Sequence, residues 1–328
     1  MAEIKLSAPV CADYSGAVSG SVLVQPLENG ICAVDFTDGS VTASREFGKI
    51  GSSIAVIDDM AYFSAENGMG ETFYCVRLDG SLTTLWQYEA VDDITSPTVQ
   101  GDYVIFGAGE SLVTCHYKDG TANEIPLGGK ITAAPFASQY AVFAVLNDSA
   151  VKLRLNADGS MEQDSLLSCH TGENSSAPLA YNSRMYITSA VGLHIIDSIN
   201  MEITETLPDI KNGSDPFICR GNGTRVYTIA DYNGGRALHS VYDMGEDNSP
   251  ADAILAVLEN YDGGKSAVSE SGTMYFRDGT GRIYALTRVE YDIFTMVIKL
   301  VLLAALIVCV FIWLRLMAKR KEKSQPRF

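Results

Sequence analysis

The chain repeats a pair of short strand-like segments about every 42 residues, and this period constrains its fold more than any other feature. The first member of a pair is a run such as YVIFGA (103–108), and the second is a run such as TFYCVR (72–77). Short aromatic and β-branched runs with alternating side chains predict β-strands. The centres of the second strands lie 42, 40, 38, 42, 45 and 45 residues apart. These centres are Ala33, Cys75, Cys115, Leu153, Ile195, Ser240 and Ala285.

The residues between the strands predict tight turns and strand starts. Asp-Gly follows the second strand in four copies, at 38–39, 79–80, 119–120 and 158–159, and glycine there supplies the positive φ of a tight hairpin. Several copies open with a small or acidic residue before proline, as at 96–97 and 215–216, where proline starts a strand without breaking a ladder. Seven units of about four short strands predict an all-β fold, a seven-bladed β-propeller over residues 2–289.

The last copy ends at IYALTRV (283–289) without the outer strand that earlier copies show. The segment AEIKL (2–6) precedes the first Ala-Pro, where an outer strand belongs. We expect residues 2–6 to pair in the last blade, because this pairing closes the ring and removes an open sheet edge.

The units resemble the pyrroloquinoline-quinone-like (PQQ-like) propeller repeat. The best matches are SPTVQGDYVIFGAGESLVTCHYKDGT (96–121), APLAYNSRMYITSAVGLHIID (177–197) and AVSESGTMYFRDGTGRIYALT (267–287). With its closing apolar segment, the chain is most similar to membrane-anchored surface proteins of Gram-positive bacteria that carry these repeats. Quinone enzymes of this fold share a vicinal disulfide, a tryptophan floor and calcium ligands, whereas residues 1–292 contain no Cys-Cys pair and one tryptophan, Trp86. We therefore expect no quinone cofactor.

An apolar run of 22 residues, Ile293–Leu314, follows a short linker at 290–292. As a helix it is roughly 33 Å long, which matches a bilayer core of about 30 Å, so we expect one transmembrane helix. Lys299 lies near its start, where the side chain can reach the headgroups; pairing with an acid on another helix is the alternative. The basic tail 315–328 belongs in the cytoplasm by the positive-inside rule, which places the propeller outside.

This orientation implies a signal peptide that has been removed, because residues 1–11 lack the apolar region of one. A tail-anchored protein with its body in the cytosol is the alternative.

The charge distribution argues against nucleic acid as a partner. The chain carries a net charge of −16, and residues 1–292 hold 39 acidic against 17 basic residues. A body this acidic repels phosphate backbones.

Two loops depart most from the repeat, and functional variation concentrates in such loops. They lie at 65–71 and 244–255. The candidate binding residues in them are Glu66, Asn67, Met69, Glu71, Glu246, Asp247 and Asn248. Trp86 stands near the repeat's docking-tryptophan position, which favours packing between blades, with a ligand platform as the alternative. The scattered histidines and cysteines have no ligand or nucleophile–base spacing, so no catalytic or metal-binding residue is predicted.

These features predict a non-catalytic binding platform for a protein, peptide or glycan, held outside a membrane by one helix. An assembly or quality-control scaffold for membrane proteins is a second hypothesis. A hydrolase or lyase acting from the central funnel is a third, and it requires acids, bases or metal ligands that converge on the inner strands.

Overall fold

The computed structural model describes residues 8–11, 13–35, 37–66, 68–139, 141–218, 225–242, 251–258, 261, 267–268, 274–277 and 283–286. The chain divides into two compact units, Met1–Ala285 and Leu286–Phe328. In the second unit only Leu286 is described. The predicted closing strand 2–6, the linker 290–292, the span 293–314 with Lys299, and the tail 315–328 lie outside the described residues. Within those residues, no helix has the length and hydropathy needed to cross a membrane.

The described residues form seven antiparallel sheets, six with four strands and one with three, and in each sheet the strand order follows the chain. Sheet 1 contains β1 (Ala17–Ser19), β2 (Val22–Leu27), β3 (Gly30–Asp35) and β4 (Ser40–Glu46). Sheet 2 contains β5 (Ala55–Ile57), β6 (Met60–Glu66), β7 (Glu71–Arg77) and β8 (Thr84–Ala90). Sheet 3 contains β9 (Thr98–Gln100), β10 (Tyr103–Ala108), β11 (Ser111–His116) and β12 (Ala122–Pro126). Sheet 4 contains β13 (Phe136–Ala137), β14 (Ala141–Val145), β15 (Ser149–Leu155) and β16 (Met161–His170).

The remaining sheets follow the same plan. Sheet 5 contains β17 (Leu179–Tyr181), β18 (Arg184–Thr188), β19 (Leu193–Asp197) and β20 (Ile203–Leu207). Sheet 6 contains β21 (Phe217–Ile218), β22 (Arg225–Tyr232), β23 (Gly235–Tyr242) and β24 (Ala251–Leu258). Sheet 7 contains β25 (Ala267–Val268), β26 (Met274–Arg277) and β27 (Ile283–Leu286). The all-β fold class predicted from the sequence is confirmed for the described residues.

The repeat alignment is confirmed by the register. All seven predicted centres lie on the third strand of their sheets. In sheets 1, 2 and 3 the centre pairs with Val24, Tyr62 and Val104 of the second strand. A β-bulge interrupts the pairing of the third and fourth strands at or next to the centre in sheets 1, 2, 4, 5 and 6, and such bulges increase local twist.

The core lies between neighbouring sheets. The second and third strands are buried on both faces, whereas fourth strands such as β4 are largely exposed. Between sheets 2 and 3, Phe73 stacks on Phe106 with ring centroids 4.0 Å apart. Similar clusters join sheets 1 and 2, 3 and 4, 4 and 5, and 5 and 6. Each large apolar side chain that is buried in this way stabilises the fold by about 1.5–3 kcal/mol.

Trp86 on β8 packs between sheets 2 and 3, in agreement with the packing interpretation of this residue. Its ring lies 5.9 Å from Tyr62 and 6.1 Å from Phe73, and its Nε1–H donates to the Tyr117 carbonyl at 3.0 Å. The ring also covers the predicted Asp-Gly turn of sheet 3, where Gly120 has a φ of 71°. A Cβ on Gly120 would lie 2.7 Å from Trp86 Cδ2. This turn therefore requires glycine for two reasons: its φ is positive, and the Trp86 ring leaves no room for a Cβ.

Gly120→Ala is expected to lower the free energy of unfolding by about 2–4 kcal/mol, because it combines a left-handed backbone with overpacking against Trp86. Gly20→Ala is the matched control, since Gly20 has a φ of 58° and open space around its Cβ position. The control should lose only the backbone contribution, about 1–2 kcal/mol. Urea unfolding measures both, and equal losses in the two variants would contradict the packing role of Trp86.

Candidate functional site

The described residues enclose a cavity of about 1370 Å³. Its wall consists mainly of the connecting segments that lead into the first strands of sheets 1 to 6, together with Tyr261. The inner strands β1, β5, β9 and β13 are successive neighbours, so these segments come from consecutive sheets. Six separate parts of the repeat therefore line one space.

Two residues of each connecting segment, three and two positions before the first strand, occupy equivalent places; we name them the lead-in pair. The pairs are Tyr14-Ser15, Ser52-Ser53, Thr95-Ser96, Ala133-Ala134, Ser176-Ala177 and Ser214-Asp215. Five of the six contain a side-chain hydroxyl, and the pair of sheet 4 contains none.

The first residue of a lead-in pair ties the connecting segment to the second strand of its own sheet. Thr95 Oγ1 accepts a hydrogen bond from Gly107 N–H at 2.8 Å, and Thr95 N–H donates to the Gly107 carbonyl at 2.9 Å. Ser176 with Thr188 and Ser214 with Ile229 repeat this exchange. In sheet 2, Ser52 Oγ accepts from Ser64 N–H at 2.8 Å. The side-chain oxygen thus accepts a hydrogen bond that a backbone carbonyl would accept in a continuing strand, at the point where the backbone ladder ends.

The second residue of a lead-in pair joins neighbouring sheets. Ser15 N–H donates to Ser53 Oγ at 3.1 Å, and Ser53 N–H donates to Ser96 Oγ at 2.9 Å. Ala177 N–H donates to Asp215 Oδ1 at 3.0 Å. The series is interrupted at Ala134 and Ala177, whose methyl groups accept no hydrogen bond.

The cavity wall is acidic. It contains Asp13, Glu28, Glu66, Glu71, Asp93 and Asp215, against Lys49 and Lys130. Lys49 Nζ pairs with Glu66 at 2.7 Å, and Lys130 Nζ pairs with Asp93 at 2.7 Å. These pairs are exposed and contribute little to stability, but they neutralise two of the six carboxylates.

Glu71 is the buried carboxylate of this wall, with 8% of its surface exposed. It begins β7 in sheet 2, and its Oε2 accepts a hydrogen bond from Ile94 N–H in the connecting segment of sheet 3. Burial raises the pKa of Glu71, and the negative charges of Asp93 and Glu66 raise it further; the Ile94 hydrogen bond and Lys49 oppose this shift. The site therefore holds a carboxyl whose ionised form lacks full compensation.

Tyr14 lies in the same part of the wall. Burial raises the pKa of its phenol, and the charges of Glu71 and Asp13 raise it further. Tyr14 thus lies within the negative potential of these two carboxylates, and it remains a neutral hydroxyl at physiological pH.

The predicted binding residues separate into four groups. Glu66 and Glu71 line the cavity. Met69 lies in the loop between them and is 94% exposed, and Trp86 packs between sheets 2 and 3. The other candidates, Asn67, Glu246, Asp247 and Asn248, lie outside the described residues.

Sequence reasoning missed most of the wall, including Asp13, Glu28 and the lead-in pairs. The sequence signal for the lead-in pairs was the small, hydroxyl or acidic residue before proline, which was interpreted only as the start of a strand. Among the described residues, no three His, Cys, Asp or Glu side chains form a group that could hold a metal ion.

His194 forms a second polar cluster, buried near the start of β19 in sheet 5. Its Nε2 lies 2.7 Å from the Thr171 carbonyl, and its Nδ1 lies 2.9 Å from Thr206 Oγ1. Because a carbonyl only accepts, Nε2 carries the proton and Nδ1 accepts from the Thr206 hydroxyl. Ser189 Oγ lies 3.0 Å from Nε2. The neutral imidazole thus joins the segments that contain Thr171, Ser189 and Thr206. Because Nε2 carries the proton, it cannot act as a base toward Ser189.

Solved structures resemble this chain, although no protein-family model and no curated protein matches it. BamB from Moraxella catarrhalis superposes with a TM-score of 0.63 at 15% identity, covering 83% of this chain and 81% of that one. The fold is a β-propeller. A chain in the crystal structure of the Mitotic Checkpoint Complex has a TM-score of 0.63 at 11% identity, covering 86% and 91%. The WD40 domain of Neurospora crassa Pan2 has a TM-score of 0.58 at 10% identity, covering 87% and 91%.

Ala134→Ser is expected to raise the free energy of unfolding by about 0.5–1.5 kcal/mol, because the new hydroxyl provides an acceptor for Ser96 N–H, which donates to no described residue. Ser53→Ala removes the existing acceptor of Ser15 N–H and should lower it by a similar amount. Ala122→Ser, on the exposed strand β12, is the control and should change little. Thermal unfolding of the three variants checks this, and a destabilised Ala134→Ser protein would contradict the equivalence of the lead-in pairs.

The stability of the propeller should fall as the pH drops below the ordinary histidine pKa of 6.5, because burial lowers the pKa of His194 in the folded protein. At a pH between the lowered pKa of folded His194 and the ordinary pKa, the unfolded chain binds more protons than the folded protein. The contribution of neutral His194 to the free energy of unfolding is therefore complete above pH 6.5 and is lost on acidification. His194→Gln should flatten this dependence while its amide still donates to Thr171. Urea midpoints between pH 7 and pH 5 measure the effect, and parallel curves for the two proteins would refute it.

Proposed function

We propose that this protein is a seven-bladed propeller of PQQ-like repeats that serves as a non-catalytic binding platform on the outside of a membrane. The fold supports the general part of this proposal, since similar propellers include a chain of the Mitotic Checkpoint Complex, an assembly of proteins. The seven sheets of the described residues support the blade number. The apolar segment 293–314 and its basic tail support the anchor and the orientation.

The observation that carries the proposal is the cavity wall. It is held by hydrogen bonds between connecting segments and second strands, as at Thr95 and Ser176, and between neighbouring sheets, as at Ser53. A concave surface fixed in this way loses little conformational entropy when a partner binds. Its volume exceeds the roughly 300–1,000 Å³ of small-molecule pockets, which favours a segment of a larger partner.

A scaffold for the assembly of membrane proteins is the second candidate. It is favoured by the predicted anchor, because a client inside the bilayer would contact the span through Lys299 and its neighbours. The two candidates differ in which part of the chain contacts the partner, the propeller or the helix.

Membrane-impermeant amine crosslinking on intact cells, followed by external protease, tests the proposal. The expected result is a discrete crosslinked species that contains the propeller, and cleavage of the propeller together with known surface proteins. A propeller that resists labelling and cleavage while surface proteins react would refute the orientation. Labelling without a discrete partner would refute the platform. Crosslinks that recover only integral membrane proteins through the span would support the scaffold instead.

A further inference from the structure

Three carboxylates of the cavity wall form no ion pair with a described residue: Asp13, Glu28 and Glu71. We name them the acidic sector. Asp13 precedes β1, Glu28 lies in the turn between β2 and β3, and Glu71 begins β7. Lys49 lies close by, but its ammonium is bound to Glu66. The sector therefore keeps a net negative charge next to an accessible space.

Glu71 distinguishes this sector from an ordinary acidic surface. One of its oxygens binds Ile94 N–H, whereas no described residue donates to Oε1. Gly51 lies against this carboxylate, and a Cβ there would overlap Oε1. Ser64 Oγ, which is fully buried and has no hydrogen-bond partner among the described residues, lies 3.0 Å from the same Cβ position. Buried polar atoms without partners are costly, so this corner can accept a hydrogen bond from a donor that the described residues do not provide.

The cavity also offers hydrogen-bond donors. Ser96 and Ala134 line it, and no described residue accepts a hydrogen bond from their N–H groups. In other sheets the next lead-in pair supplies that acceptor, as Ser53 does for Ser15. Alanine at 134 and 177 leaves these two donors open for acceptors from another molecule.

We infer that the cavity binds a lysine or arginine side chain of a protein partner, with its ammonium or guanidinium in the acidic sector and the adjoining backbone carbonyls on the open donors. This inference rests on the proposed platform and specifies its ligand. A basic side chain supplies several N–H donors to carboxylates, and the backbone of a peptide supplies carbonyls on the same molecule.

Calorimetry on the full-length protein in detergent tests the inference with capped Ala-Ala-X-Ala-Ala peptides, where X is arginine, lysine, citrulline or glutamate. Citrulline retains the shape of arginine without its charge. The arginine and lysine peptides should bind at least about tenfold more tightly than the other two, the loss expected for a missing charge-assisted hydrogen bond. Equal binding of the citrulline and arginine peptides would overturn the inference.

Glu71→Gln should weaken the arginine peptide by about tenfold or more while its amide oxygen still accepts from Ile94. Asp13→Asn and Glu28→Gln, at exposed positions, test the sector even where the Glu71 variant fails to fold. Glu46→Gln on the exposed strand β4 is the control and should bind normally. Unchanged binding in the two exposed variants, or in a folded Glu71→Gln, would refute the acidic sector as the site.

Two further ligands, propylguanidinium and calcium chloride, test the cation site separately from the contacts of the peptide carbonyls. Propylguanidinium carries the cation without carbonyls, so Ala134→Ser should weaken the arginine peptide but leave propylguanidinium unchanged. Propylguanidinium that binds as tightly as the peptide would replace the peptide ligand with a free cation and overturn the inference. Calcium chloride that binds the sector and excludes the peptide would overturn it in favour of a metal site.

Failure of this inference is distinguishable from failure of the platform. A partner crosslinked on cells whose capture is unaffected by Asp13→Asn and Glu28→Gln would leave the platform standing and remove the basic ligand. The absence of both a crosslinked partner and peptide binding would remove both.

Discussion

The structure depends on the need to cover both faces of every sheet. The middle strands carry large apolar side chains in both directions, as β6 and β7 do with Tyr62, Phe63 and Phe73. A single four-stranded sheet of this kind has no polar face and cannot be stable alone. Its neighbours supply the cover, so each sheet is stable only as a member of a series. The repeat thus provides each sheet with neighbours that cover its two apolar faces.

Because both faces of the middle strands are apolar, the polar side chains that bind backbone groups lie at the ends of the strands. The connecting segments leave the ladders near the cavity, and their backbone groups need partners there. Hydroxyl and carboxylate side chains of the lead-in pairs provide them, first within a sheet and then between sheets. The cavity wall and the structural frame are therefore built from the same short segments, which explains why the wall is rich in polar groups.

Sheet 4 is the exception that gives the cavity an asymmetry. With Ala133 and Ala134 it contributes neither type of side-chain hydrogen bond, while the wall of sheets 1 and 2 carries Asp13, Glu28 and Glu71. A nearly regular repeat thus presents carboxylates on one part of its cavity wall and, on another, backbone N–H groups for which the described residues supply no acceptor. Departures from the repeat at single positions, as much as inserted loops, therefore make one part of the cavity wall chemically different from another.

Local chemistry determined what the sequence could predict. The strand pairs, their spacing, the centres such as Cys75 and Cys115, and the Asp-Gly turn at Gly120 depend on residues within one repeat, so period and turn residues were sufficient. Glu71 was predicted only as a member of an unusual loop, and its burial against Gly51 and Ile94 was not visible.

Tertiary structure alone decided that Asp13, Glu28 and Glu71 share a wall, because 15 and 43 residues separate them in order along the chain. It also decided that Ala134 interrupts a hydrogen-bonded series, because that series runs between sheets and leaves no periodic mark on the strands themselves. Contacts within a repeat are encoded by neighbours in sequence, whereas the cavity arises only when the sheets pack side by side.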